Sequence, residues 1–138
     1  MKSGAAAKDN SPPREGHDFR SSCSIARALD LLGDKWTLLI VRDLLWHGKH
    51  SFTALQGSAE RMPTNILAQR LKKLMAWGLV RREAYQDKPV RYAYELTEAG
   101  KTLEPLLLQV MQWGHEQLRG GLYDPKTGKS RGPRARQG

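Results

Sequence analysis

The segment 63–82, PTNILAQRLKKLMAWGLVRR, constrains the fold more than any other part of the sequence. On a helix that turns about 100° per residue, Leu71 and Leu74 fall within about 40° of Leu67. These three leucines predict the core face of an amphipathic helix. A helix of this kind needs other elements to cover that face, so the segment predicts a packed domain and not an isolated helix.

The opposite side of this helix is polar. Asn65, Ala68, Gln69 and Lys72 lie on it, with Lys73 at its edge and Arg70 on its flank. Asn and Gln side chains can make paired hydrogen bonds to adenine edges, and Lys reaches guanine acceptors or phosphate. The surface therefore suits a DNA major groove, with Arg70 expected to contact phosphate or an acidic neighbour. The alternative is an ordinary solvated helix surface.

Two runs that follow, LVRREAY and VRYAYEL, alternate like β-strands around the turn residues QDKP. They predict a hairpin with Val90, Tyr92, Tyr94 and Leu96 facing inward. Lys88 and Arg91 lie at or beside its tip, where a basic wing can contact the DNA backbone or the minor groove. Nearer the base, one of Arg81 and Arg82 is expected to face phosphate and the other to pair with Glu83 or Glu95.

Local signals place the remaining helices. A first helix, which ends at Gly33, is predicted by the apolar spacing of Ile25, Ala28, Leu29 and Leu32. A second helix, nearly all apolar and therefore central, is predicted between Asp34 and Gly48, and Ser51 caps a short third helix. The helix of segment 63–82 is bounded by Pro63 and Gly78, and Thr97 caps the last helix. A short helix joined by a tight turn to the helix of segment 63–82 completes a helix-turn-helix.

The last helix is predicted over residues 98–118, with a kink at Pro105. Its apolar residues include Leu103, Leu106, Leu107, Val110, Met111 and Trp113. This surface exceeds what a small domain covers internally, and it predicts a dimer interface. The alternative is that the helix packs only on its own core.

The formal net charge is +9, and residues 61–91 carry eight cations against two acids. Such a concentration favours a polyanion-facing surface. The tails 1–20 and 124–138 lack a hydrophobic period and are predicted to be disordered, which leaves one domain over 21–123. We find no signal peptide or membrane span, so the protein is expected to be cytoplasmic.

The sequence resembles the HxlR family of winged helix-turn-helix transcriptional regulators, relatives of MarR. The matching segments are CSIARALDLLGDKWTLLIVRDLL, FTAL, ILAQRLKKLMAWGLVRRE, PVRYAYELTEAGK and LLLQVMQWG, which together extend from residue 23 to about 118. Ala93 departs from the glutamate that is common in the family. The resemblance implies a mainly α-helical fold with a small β-wing (α+β).

The resemblance also implies a homodimer that binds a palindromic DNA operator, most often as a repressor. The residues expected to bind DNA are Pro63, Thr64, Asn65, Ala68, Gln69, Arg70, Lys72, Lys73, Lys88 and Arg91. The first and last helices are expected to form the dimer interface through Ile25, Leu29, Leu106, Leu107, Val110, Met111 and Trp113.

Cys23, the one cysteine, matches a cysteine with which some family members sense oxidants or electrophiles. It precedes a helix, whose N-terminal amides favour the thiolate. The two interpretations are a redox-sensing thiol, with an oxidant or small molecule as effector, and an inert half-buried thiol.

An enzyme or metal site is not expected. His17, His47, His50 and His115 share no metal-ligand spacing, and the sequence carries no paired acids or phosphate loop. No cofactor is predicted. A nonspecific, nucleoid-type DNA-binding protein remains the alternative to a sequence-specific regulator.

Overall fold

Residues 18–133 of the computed structural model, which also describes residue 135, contain six helices and four strands. In chain order they are α1 (Ser24–Leu32), α2 (Thr37–Trp46), α3 (Phe52–Gln56), α4 (Thr64–Ala76), β1 (Val80–Asp87), β2 (Val90–Leu96), α5 (Glu98–Lys101), α6 (Glu104–Leu118), β3 (Leu122–Asp124) and β4 (Lys129–Arg131). The fold is helical with a small antiparallel hairpin, the winged helix-turn-helix that the sequence predicted.

Contacts divide the chain into two compact units between Thr102 and Leu103. This boundary lies inside the single domain predicted over 21–123. The division coincides with a break between α5 and α6. Pro105 lies at the start of α6 and does not kink one continuous helix, because the first turn is where a proline costs no hydrogen bond. The predicted helix over 98–118 is thus two helices.

In the first unit the core lies around α2, whose Ile40, Val41 and Leu44 are buried. The central position predicted for this apolar helix is therefore confirmed. Helix α2 packs against α1 and β2, and α4 packs against α3 and β1. Leu67, Leu71 and Leu74 of α4 complete the core, with the side that was predicted to be apolar facing inward.

The helix boundaries follow the predicted caps. One carboxylate oxygen of Asp34 accepts from the amides of Trp36 and Thr37, each at 3.0 Å, at the start of α2. Ser51 and Thr97 accept from amides three residues later, at 3.0 and 3.1 Å. Pro63 is the N-cap of α4, one residue before the helix begins.

Two glycines sit where a left-handed backbone is required. Gly48 follows α2 with a φ of 62°, and Gly78 follows α4 with a φ of 74°. Both close helices by a conformation that costs other residues free energy.

Strands β1 and β2 pair antiparallel, with a bulge between Ala84 and Gln86. Tyr94 and Leu96 face the core as predicted. The prediction was wrong for Val90, whose side chain is 52% exposed. Val90 begins β2 at the hairpin tip, where the hairpin extends beyond the helices that cover its base. Side chains still alternate between the two faces of the strand there, but no core lies against either face.

The tails differ from the prediction in some of the segments that the structure describes. Residues 1–17 lie outside the described part, but Phe19 packs its ring edge-on against Trp77 and Arg20 pairs with Asp30. At the other end, β3 and β4 form an antiparallel hairpin across the predicted boundary at residue 124. Disorder over 124–138 was therefore wrong for the hairpin.

In the second unit, the hairpin packs against α6 through the amide of Tyr123, which donates to Met111 Sδ at 3.3 Å. Gly128 closes the hairpin turn with a φ of 74°. Within the described residues, no helix is both long enough and apolar enough to cross a membrane.

Candidate nucleic-acid interface

Helix α4 presents its polar side to solvent. Thr64, Asn65, Ala68, Gln69 and Lys72 are all exposed, whereas Leu67, Leu71 and Leu74 are at most 1% exposed. Pro63 is also exposed, next to the first turn. The helix therefore displays two amides and one lysine on a surface that the rest of the described chain leaves uncovered. Asparagine, glutamine and lysine are residues that read base edges in the major groove.

Three of the predicted DNA-binding residues of α4 are engaged within the protein: Thr64, whose hydroxyl accepts from Gln56 Nε2, Arg70 and Lys73. Arg70 Nε donates to an Asp34 carboxylate oxygen at 2.9 Å, and Lys73 Nζ donates to the Asp30 carbonyl at 3.0 Å. The acidic neighbour expected for Arg70 is thus Asp34. Sequence reasoning did not find the Lys73 contact, since its partner is a backbone group 43 residues away.

The pKa of Asp34 reflects this setting. Partial burial opposes the charged form, but hydrogen bonds from Thr37 and Arg70, together with the amides of Trp36 and Thr37, outweigh it and lower the pKa to about 2. The carboxylate is therefore charged throughout the physiological range, and its pair with Arg70 persists there.

The turn between α3 and α4 is fixed by polar contacts that the sequence did not reveal. The Ser58 hydroxyl donates to the carboxylate of Asp43, which is 2% exposed, and Lys49 Nζ donates to Ser58 at 3.0 Å. Arg42 donates to both carboxylate oxygens of Glu60 at 2.9 Å. The bond from Arg42 lowers the pKa of Glu60 to about 2. These contacts join α2 to the turn, and so they fix the entry into α4.

Two cations near the base of the wing contact other side chains of the protein, whereas two at its tip are exposed. Arg81 pairs with Glu95 at 3.2 Å, as expected for one of the two base arginines, and Arg82 stacks 3.9 Å over the ring of Tyr92. Lys88 and Arg91 are exposed at the tip. The wing and the start of α3 border an open groove of about 590 Å³, and its lining includes Arg82, Tyr85, Arg91 and Tyr92. The tip cations are therefore accessible to a phosphate backbone.

Cys23 is exposed at the N-cap of α1. The backbone N–H groups of Ala26, first, and Ile25 lie close enough to lower the pKa of the thiol, although neither makes a capping hydrogen bond of normal geometry. The half-buried position of the inert alternative is therefore wrong. A lowered thiol pKa together with exposure is the setting in which cysteines react with oxidants.

The predicted dimer residues divide into exposed and covered side chains. Ile25 and Leu29 of α1 are 71% and 52% exposed, and Leu106, Val110 and Trp113 of α6 are 40%, 48% and 60% exposed. Leu107 is only 7% exposed, so its assignment to the interface was wrong: it belongs to the buried side of α6. Met111 is half-buried and contacts Tyr123. Leu118, which was not predicted, is 70% exposed.

Two of the described histidines lie within hydrogen-bond distance of backbone carbonyls. His50 Nδ1 lies 2.8 Å from the Tyr94 carbonyl, and His115 Nδ1 lies 2.6 Å from the Gly120 carbonyl. Among the residues that the structure describes, no three His, Cys, Asp or Glu side chains come together as a metal site would require.

A helix-turn-helix with an exposed polar helix and a cationic hairpin defines a winged helix-turn-helix protein. The HxlR-like helix-turn-helix family matches residues 31–121, and the chain belongs to this family.

Known relatives and structures agree with this assignment. The chain is 41% identical over 102 residues to MT3179 of Mycobacterium tuberculosis and 34% identical over 98 residues to YvaP of Bacillus subtilis, both named as HTH-type transcriptional regulators. These matches cover 74% and 71% of this chain, and 63% and 90% of the respective relatives. The redox regulator HypR in its reduced form is similar at a TM-score of 0.63 with 32% identity, over 70% of this chain and 96% of that one.

Proposed function

We propose that this protein is a sequence-specific, DNA-binding transcriptional regulator that acts as a repressor and binds a palindromic operator as a homodimer. The observation that carries the proposal is the division of α4 into a fully buried leucine face and an exposed face with Asn65, Gln69 and Lys72. The relatives named as transcriptional regulators support it. Repression is the expected sign, because most members of the family that the sequence resembles repress transcription.

On DNA, α4 enters the major groove and reads base edges, while Lys88 and Arg91 of the wing contact the backbone. A two-fold dimer places two copies of α4 in successive grooves, so the half-sites lie about one helical turn, or roughly 10 bp, apart. The exposed apolar residues of α1 and α6 form the interface between the two chains. These residues support a dimer because large apolar side chains at 40–71% exposure gain free energy when they are covered.

Selection of bound sequences from a random DNA library tests this function. A regulator selects one near-palindromic motif and prefers it over random DNA by roughly a thousandfold or more at moderate salt. A nonspecific, nucleoid-type protein is the second candidate, and the net charge of +9 favours it. A nonspecific protein would select no motif, and the ratio of its affinities for any two DNA sequences would be near one. Its binding would still depend steeply on salt.

Base reading by α4 predicts a specific loss. Asn65→Ala and Gln69→Ala should each cost about 1–3 kcal/mol on the selected motif and little on random DNA, because each removes paired hydrogen bonds to a base. Arg91→Ala is the contrasting variant. It should lower the affinity for both the motif and random DNA, and it should make the salt dependence of that affinity shallower, as expected for the loss of a phosphate contact. Fluorescence anisotropy at several salt concentrations measures all three. Equal losses on both DNAs for Gln69→Ala would remove α4 from base reading.

We further propose that Cys23 senses oxidants. Its exposure and lowered pKa support this role, and so does the similarity to a redox regulator. Diamide treatment followed by intact-mass and DNA-binding measurements should show modification at Cys23 and a changed affinity for the selected motif, with Cys23→Ser insensitive. An unmodified thiol, or a modified one with unchanged DNA affinity, would end this part of the proposal.

A further inference from the structure

We propose that Asp34 is a positioning residue of the DNA site, which holds α4 through Arg70 at the rotation about its own axis that turns Asn65, Gln69 and Lys72 outward. The inference rests on the proposed function and adds to it a residue that contacts no DNA. Asp34 lies in the connection between α1 and α2.

One flank of α4 is attached at two points, one in the last turn of α1 and one in the α1–α2 connection. Arg70 Nε bonds to the Asp34 carboxylate at 2.9 Å, and Lys73 Nζ bonds to the Asp30 carbonyl at 3.0 Å. Residues three apart on a helix lie on neighbouring positions of one side. The two contacts therefore fasten the same flank over almost one turn, beside the exposed face.

The carboxylate of Asp34 is itself held rigidly. The oxygen that binds Arg70 also accepts the amides of Trp36 and Thr37, each at 3.0 Å, and the other oxygen accepts the Thr37 hydroxyl. The Asp34 and Arg70 side chains are only 23% and 24% exposed, so solvent competes weakly for this pair. Arg70 is thereby tied to the first turn of α2, the central helix of the core.

Directional contacts are needed here because leucine packing is not directional. Apolar burial depends on the area removed from water, and small rotations of α4 preserve most of it. With side chains included, a helix has a radius of about 5–6 Å, so a rotation of about 20° moves its surface by roughly 2 Å. Such a displacement is about four times the width, roughly 0.5 Å, of the range of about 2.7–3.2 Å within which N–H···O hydrogen bonds form. An ion pair with fixed hydrogen-bond geometry resists that rotation.

The rival interpretation is that Arg70 leaves Asp34 and contacts a DNA phosphate. The two differ in the salt dependence and in the role of Asp34. A phosphate contact contributes about 0.9 to the slope of log affinity against log salt, and its loss weakens binding to every DNA. A positioning contact contributes nothing to that slope, and its loss weakens binding only to the motif.

The experiment uses the full chain and a DNA motif that the wild-type chain selects from a random library. Affinities for the motif and for random DNA are measured at several salt concentrations for Arg70→Met, Asp34→Asn and the double variant. Lys101→Met is the matched control, because Lys101 forms an exposed ion pair with Glu98 in α5 and its removal changes the net charge equally. Thermal unfolding confirms that each variant is folded at the temperature of measurement.

Positioning predicts that Arg70→Met and Asp34→Asn each lower motif affinity by roughly 10- to 100-fold, the range set by loss of base contacts. For Arg70→Met, the affinity for random DNA and the slope of log affinity against log salt should equal those of Lys101→Met. The double variant should bind the motif no more weakly than the weaker of the two single variants. Unchanged motif affinity in Asp34→Asn, or a slope reduced by about 0.9 in Arg70→Met, would overturn the inference.

A measurement without DNA separates this inference from the proposed function. Amide hydrogen exchange in α4 should accelerate about tenfold or more in both variants, while α2 amides such as those of Val41 and Leu44 keep their protection. Failure of the wild-type chain to select any motif would reject the function alone. Unchanged exchange in α4 would reject the positioning role whether or not a motif is found.

Discussion

Helices α4 and α6 are similar in length, with 13 and 15 residues, and both carry leucines at helical spacing, but the chain covers them differently. Leu67, Leu71 and Leu74 of α4 are at most 1% exposed. In α6, Leu107 is buried, while Val110 and Trp113 remain 48% and 60% exposed. An apolar stripe indicates a face that must be covered, but it does not indicate which molecule covers it.

The role proposed for the exposed side of each helix follows from this difference. Because the core of its own chain covers the leucines of α4, the opposite side of α4 is available for a ligand, and its amides and lysine suit DNA. Because α6 leaves apolar side chains uncovered, its own exposed side suits another apolar surface. The same periodicity therefore supports the proposed DNA-binding role of α4 and the proposed dimerisation role of α6.

The largest expected effect concerns the buried side of α4. Leu71→Ala should lower the free energy of unfolding by about 2–5 kcal/mol, because it removes a fully buried side chain and leaves a cavity. Leu118→Ala in α6 is the matched substitution at a leucine that is 70% exposed, and it should change the stability of the monomer, measured at protein concentrations too low for dimers, by about 0.5 kcal/mol or less. Urea denaturation measures both. Equal losses at the two leucines would contradict the difference in covering.

The next effect concerns the uncovered side of α6. Val110→Glu combined with Trp113→Glu should raise the dimer dissociation constant by roughly 100-fold or more, because two carboxylates would be desolvated at the interface. Gln109→Glu combined with Gln117→Glu adds the same charge at exposed polar positions of the same helix. Sedimentation equilibrium distinguishes the pairs. A monomeric wild-type protein, or equal dimer dissociation constants in the two double variants, would contradict a dimer through α6.

The sequence was a good guide where the determining contacts are local. Asp34, Ser51 and Thr97 accept hydrogen bonds from amides within three residues, and Gly48 and Gly78 adopt the left-handed backbone just after helices. Such contacts can be inferred from neighbouring residues alone. The leucine face of α4 was likewise predicted, because helical period fixes which residues share a side.

The sequence was a poor guide where the contacts join distant residues. The bond of Arg70 spans 36 positions to Asp34, and that of Ser58 spans 15 to Asp43. Neither spacing follows from a helix or a strand period. The β3–β4 hairpin was missed because its polar composition matches that of a disordered tail, and backbone pairing with a Gly128 turn decides its structure.

The smallest expected effect tests the flank by which α4 is fastened. The pKa of Asp34 is about 2 in the folded chain against an ordinary value of 3.8. Because the folded value is the lower one, the stabilisation is complete above about pH 5 and is lost as the pH falls from about 4 to 2. At pH 7 it amounts to about 1–2 kcal/mol, since the carboxylate is partly exposed and solvent screens part of the interaction.

Asp34→Asn should therefore be less stable than the wild type by about that amount at pH 7 and nearly equal to it close to pH 2. Urea denaturation at a series of pH values measures the difference. Glu98→Gln is the control, because Glu98 is exposed and pairs only across an exposed helix surface with Lys101, so its difference from the wild type should stay small at every pH. A deficit in Asp34→Asn that persists undiminished to low pH would mean that the side chain acts through shape alone, and that the charge on the carboxylate does not fasten α4.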